Sequence, residues 1–242
     1  MIQRRAALGG AVVALLLAGC ETTEQESARI AKGLGHQTAD ATVTQIGSTN
    51  HAVRVLKSAL VSSASGTAAA LELTNTSATA QADIPILITA TDAAGKAVYT
   101  NDTVGTSSPP GELALLPARA SAWWVDPNVL PSGGTPVHII ARIGKAGTVA
   151  PVSSATLSAS RLKIGSNFIG PLIGGTVVNG SAASQTQIAI YAVALSDGHV
   201  VAAGQGALPT LGAHASSPFQ VAVFGRPKGA TAAVTVAPAH LG

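Results

Sequence analysis

Two stretches of the chain alternate with a period of two. Ile84, Ile86, Ile88 and Ala90 fall on one side of an extended segment, and Ile188, Ile190, Ala192 and Ala194 do the same 104 residues later. Successive strand side chains point to opposite faces, so this spacing predicts half-buried strands rather than helices. Clusters of turn residues punctuate such runs: Asn75-Thr76-Ser77, Asp92-Ala93-Ala94-Gly95, Pro109-Pro110-Gly111, Asn179-Gly180, Asp197-Gly198 and Pro227-Lys228-Gly229. Asp197-Gly198, set between 190–195 and 199–202, reads as a tight hairpin.

These runs belong to an internal repeat. At an offset of 104, Asn75-Thr76-Ser77 falls on Asn179-Gly180-Ser181 and the Ile84–Ala90 pattern on its counterpart; at 103, Gly95 and Val98 fall on Gly198 and Val201. The offset then drops to 96, placing Leu115, Ser121, Trp123 and Val125 on Leu211, Ser217, Phe219 and Val221, and Pro131, Gly133 and Thr135 on Pro227, Gly229 and Thr231. One net indel of eight residues in the loop 100–111 reconciles the blocks. Short strands, frequent turns and a unit of about a hundred residues predict an all-β chain of two tandem immunoglobulin-like β-sandwich domains, 41–148 and 149–242. The 47 Ala run against strand propensity but suit tight inter-sheet positions. By this alignment Trp123 matches Phe219 and faces the core, while Trp124 matches Gln220 and points outward as a possible contact for a partner or a sugar ring.

The N-terminus follows another pattern. Arg4 and Arg5 precede an uncharged run, 6–18, too short to span a bilayer and typical of an export signal. Leu17-Ala18-Gly19-Cys20 resembles the lipobox of bacterial lipoproteins. The resemblance implies peptidase recognition of Leu17, Ala18 and Gly19, cleavage after residue 19, and a diacylglyceryl thioether on Cys20 with further acylation in many organisms. It places the protein on the outer face of the cytoplasmic membrane, or in the outer membrane where one exists. The Arg4-Arg5 pair also fits twin-arginine export. Residues 20–40 read as a lipid-anchored tether with a short helix near 24–32.

The second copy also resembles the FxLYD-type domain of bacterial lipoproteins, in Val178-Asn179-Gly180-Ser181, the run 188–193, Ser196-Asp197-Gly198 with Val200-Val201, and Leu211 leading to Pro218-Phe219; the name-giving motif itself is absent. That resemblance implies a fold and an envelope setting, and it supplies no functional residues.

Composition narrows the partners. Of the 242 residues 10% are charged and 47% hydrophobic, and the formal charge is +3, which excludes a disordered polyelectrolyte and argues against nucleic acid. Cleavage before Cys20 removes Arg4 and Arg5, so 12 basic residues face 11 acidic ones in the mature chain. Cys20 is the only Cys, so the exported chain forms no internal disulfide.

Chemistry is sparse. There is no Gly-x-Ser-x-Gly elbow and no P-loop, and the six His at 36, 51, 138, 199, 214 and 240 lack metal-ligand spacing. No cofactor or metal is expected. Asp92 and Asp197 are explained as turn residues. Asn75, Asn101 and Asn179 each open an Asn-x-Ser/Thr triplet and are also read as turns. The expectation is a non-enzymatic envelope lipoprotein acting through protein contacts; the alternative is a small-ligand or carbohydrate-binding accessory protein using Trp124 and the loop 100–111.

Overall fold

A computed structural model describes residues 46, 48–102, 111–148 and 157–238. The signal segment, the lipobox with Cys20, the tether with its helix, most of the loop 100–111 and the boundary at 148/149 lie outside the described residues.

Among the described residues there is no helix, and every strand pairing is antiparallel. The described residues form an all-β sandwich fold. In the first half, β1 (Val53–Ser63), β2 (Gly66–Asn75) and β6 (Ser121–Asp126) form one sheet in the order β1-β2-β6. Facing it is a sheet centred on β3 (Gln81–Thr91), which pairs with β4 (Ala97–Thr100), β5 (Glu112–Leu116), β7 (His138–Ile143) and β8 (Gly147–Thr148). In the second half, β9 (Leu157–Ser166), β10 (Pro171–Asn179) and β13 (Ser216–Ala222) make a sheet in the order β13-β10-β9. It packs on a sheet in the order β14-β12-β11-β15, formed by β11 (Gln185–Ser196), β12 (His199–Leu211), β14 (Phe224–Gly225) and β15 (Thr231–Pro238).

The turn residues act as expected. Asp92 Oδ1 accepts from the backbone N–H of Ala94 and of Lys96, both at 2.9 Å. Asp197 and Gly198, at φ 49° and 78°, form the two-residue loop between the paired Ser196 and His199. Gly95 and Gly198 share a positive φ (80° and 78°), as do Gly133 and Gly229 (78° and 75°).

The strongest likeness between the halves is a corner centred on a buried Asn. Asn75 Nδ2 donates to the carbonyls of Thr79, Leu116 and Pro117, while its Oδ1 accepts from Ser77 N–H (3.0 Å) and Ser77 Oγ (2.7 Å). Asn179 Nδ2 donates to the carbonyls of Ala183, Leu211 and Gly212, while its Oδ1 accepts from Ser181 N–H and Oγ at the same two distances. Both Asn are 1% exposed. The second strand of each corner is offset by 95 residues, not 96: Thr74 pairs with Ser121 and Val178 with Ser216, and Arg119 and His214 take the matching positive φ. A slip of one residue exchanges the faces of a strand. Trp124, opposite Leu71, is therefore the counterpart of Phe219, opposite Gly175.

One hydrophobic cluster joins the halves. It contains the inner residues of the first sandwich, such as Leu71, Ile84, Ile86 and Ile88, and also Ala189, Tyr191 and Val193 of β11, Ala203 of β12 and Ala237 of β15. The intervening β11 residues Ile188, Ile190, Ala192 and Ala194 belong instead to the core of the second sandwich, with Ile173, Val177, Phe219 and Val221. The shared face foreseen for these four residues holds, but β11 is buried on both sides, as its unbroken apolar run 188–195 allows. β3 keeps the half-buried pattern. Ala68, Ala69 and Ala70 are fully buried, since small side chains let sheets approach closely. The described residues form one compact unit.

Candidate functional site

The Trp pair departs from the expectation at Trp124: both side chains are buried in the same hydrophobic cluster, on opposite faces of β6. Trp124 is 3% exposed and turns into the first sandwich, where its six-membered ring fills the space left by the missing side chain of Gly111. Trp123 lies on the other face of β6, against the second half: its backbone N–H donates to Thr235 Oγ1 on β15 at 2.7 Å. Lys57 Nζ sits 6.0 Å from the centre of the Trp123 ring and 3.3 Å from Glu72 Oε2. The outward Trp124 is thus corrected, because the one-residue slip assigned it the wrong face and the second half covers the other. Trp124 is not available to a partner or a sugar. Of the loop 100–111, only residues 100–102 and 111 are described. There Thr100 Oγ1 donates to Asp102 Oδ1, and Asn101 braces β3 by accepting from Ile88 N–H and donating to the Ile86 carbonyl. Leu17, Ala18, Gly19 and Cys20 lie outside the described residues.

Two tyrosines carry shifted ionisations. Burial, with the Glu112 carboxylate adding to it, pushes Tyr191 up to about 12; its hydroxyl donates to the Glu112 backbone carbonyl at 3.4 Å, across the junction of the halves. Burial also raises Tyr99, helped by the hydrogen bond its hydroxyl donates to Asp126 Oδ2 at 2.6 Å. Both phenols stay protonated at neutral pH and act as structural donors. Among the described residues no group of three His, Cys, Asp or Glu side chains stands close enough to hold a metal ion.

Exposed apolar side chains are found at the strand ends and edges. Asn167 and Gly170 close the β9–β10 hairpin by exchanging two backbone hydrogen bonds (3.0 and 3.2 Å), and Asn167 Oδ1 also accepts from the N–H groups of Ile169 and Gly170. Between them Phe168 is 97% exposed and Ile169 69%. Short hairpin loops favour Gly, Asn and Asp, so this pair is not there for the turn. Beside the hairpin, on the outer face of β9, β10 and β13, an open groove of about 660 Å³ is bordered by Arg161, Lys163, Leu172, Gly174 and Gln220. On the first half, the β7 residue Ile140 is 57% exposed; β7 lies at the sheet edge, pairing with β3 alone among the named strands. Neither Phe168-Ile169 nor Ile140 stood out in the sequence, although two large apolar residues inside the turn composition Asn167-Phe168-Ile169-Gly170-Pro171 were a usable signal.

No protein-family model matches the chain, and no curated protein sequence matches it.

Proposed function

We propose that the chain is a lipid-anchored, non-enzymatic protein of the cell envelope, built as two tandem immunoglobulin-like sandwiches and serving assembly or adhesion through protein contacts. The lipobox residues Leu17 to Cys20 support the anchor and the location on the exported side of a membrane. The observation that carries the contact role is the β7 edge. Among the described residues no strand other than β3 pairs with its backbone between His138 and Ala141, and Ile140 is exposed there. An open edge of this kind accepts an added strand from a partner, with backbone hydrogen bonds giving affinity and an apolar side chain giving selectivity.

The test is a photo-crosslinking amino acid in place of Ile140 in the full chain, activated in the native envelope. A reproducible adduct with an envelope protein is expected. Recovery of the protein alone overturns the assembly role.

A further inference from the structure

The apolar hairpin tip and the basic residues around it belong to one end of the second half. Val223 N–H bonds to the Pro171 carbonyl, and Arg226 N–H to the Val201 carbonyl. This brings the β9–β10 tip, the 197–198 loop and the turn after β14 to the same end. Arg226 and Lys228 are exposed there, and Asp197 is the acidic residue among these loops. The hairpin 157–179 itself carries Arg161 and Lys163 and no acid. Lys163 pairs with Gly174, on the outer face with Leu172 and Gln220. It therefore lies roughly 13 Å along the strand from the Asn167–Gly170 pair that closes the tip, at about 3.3 Å per residue.

The geometry points to a membrane-contact site: Phe168 and Ile169 enter the boundary between headgroups and acyl chains of an anionic bilayer, while Lys163, Arg161, Arg226 and Lys228 meet lipid phosphates. The depths agree, since an interfacial apolar element sits about 5–10 Å into that boundary, and a long basic side chain about 13 Å behind it on the strand reaches the phosphate level along its own length. Gly174 leaves the floor of the adjoining groove open, so a headgroup phosphate has room beside Arg161 and Lys163. A protein partner would be expected to match two large apolar residues with a pocket and the basic residues with acids. A fluid anionic surface requires only the charge and the apolar tip found here. The setting rests on the envelope reading above, but the site is physically separate from the β7 edge.

The test uses the full chain carrying Phe168→Trp, mixed with phosphatidylcholine vesicles with or without phosphatidylglycerol. Trp123 and Trp124 are buried, so their emission should not respond to vesicles, and the spectrum of the parent chain is subtracted. Blue-shifted emission of the new indole, quenching by brominated acyl chains and dependence on phosphatidylglycerol are expected. Adding Arg161→Gln and Lys163→Gln weakens the binding isotherm by roughly 10- to 30-fold. Emission that stays red and open to aqueous quenchers on anionic vesicles overturns the proposal. So does shielding of the indole in native envelopes but not on vesicles, which assigns the tip to a protein. If Ile140 captures no partner while the indole still inserts, the assembly role fails and the membrane site stands.

Discussion

Replacing Asn75 or Asn179 by Ala removes the centre of a corner whose partners are mostly backbone groups, part-buried or buried. Each side chain accepts two hydrogen bonds from the following Ser and donates to three carbonyls on the two arms of the turn. A typical internal hydrogen bond contributes about 1 kcal/mol net, and carbonyls left without a donor add to the loss. Each substitution should therefore cost about 3 kcal/mol, which lowers Tm by about 6–12 °C in a unit of this size. Because one hydrophobic cluster runs through both halves, the two substitutions should move the same transition although they sit in different halves. Differential scanning calorimetry and urea unfolding followed by Trp fluorescence measure this. Asn75→Asp retains the acceptor but sets a carboxylate against carbonyls, and should be at least as damaging as Asn75→Ala. Two resolved transitions, each responding only to its own variant, would refute the shared core. A cost below about 1 kcal/mol at either site would refute the corner as a stabilising centre.

Trp124→Phe imitates the second half, where Phe219 holds the equivalent place, and should cost under about 2 kcal/mol in urea unfolding, against about 3–5 for Trp124→Ala. Gly111→Ala puts a methyl group into the Trp124 ring and should destabilise strongly; in a double-mutant cycle Trp124→Phe should relieve much of that cost, and strict additivity would contradict the packing. Tyr191 binds its proton more tightly folded than unfolded, so its contribution is complete below pH 10 and is lost as pH rises from 10 through about 12. Urea titrations over that window should show stability falling by up to about 1.4 kcal/mol per pH unit from this residue. Tyr191→Phe should flatten the slope, and an unchanged slope would show that the phenol ionises normally in the folded chain.

The sequence reached the strand character, the turns at Asp92 and Asp197, and the shared face of Ile188, Ile190, Ala192 and Ala194, because these follow from local periodicity and backbone preference. It missed the face of Trp124, since two adjacent aromatic residues give no parity of their own and an offset of 96 fits the flanking residues nearly as well as 95. The double burial of β11 was visible in its unbroken apolar run, but a buried strand and a half-buried one with Ala on its outer side look alike until the packing partner is known. The exposed Phe168-Ile169 tip was masked by the usual assumption that large apolar residues lie inside.

The corners also bear on where this protein can be made. Asn75, Asn101 and Asn179 stand in Asn-x-Ser/Thr triplets, and each amide nitrogen is already committed to backbone carbonyls inside the fold. A eukaryotic secretory pathway attaches oligosaccharide to such nitrogens as the chain emerges, before a corner has closed, and a glycan has no room at a side chain 1% exposed. Secretion from yeast or mammalian cells would trade the native corner for a sugar, whereas bacterial export leaves the same three amides unmodified for folding.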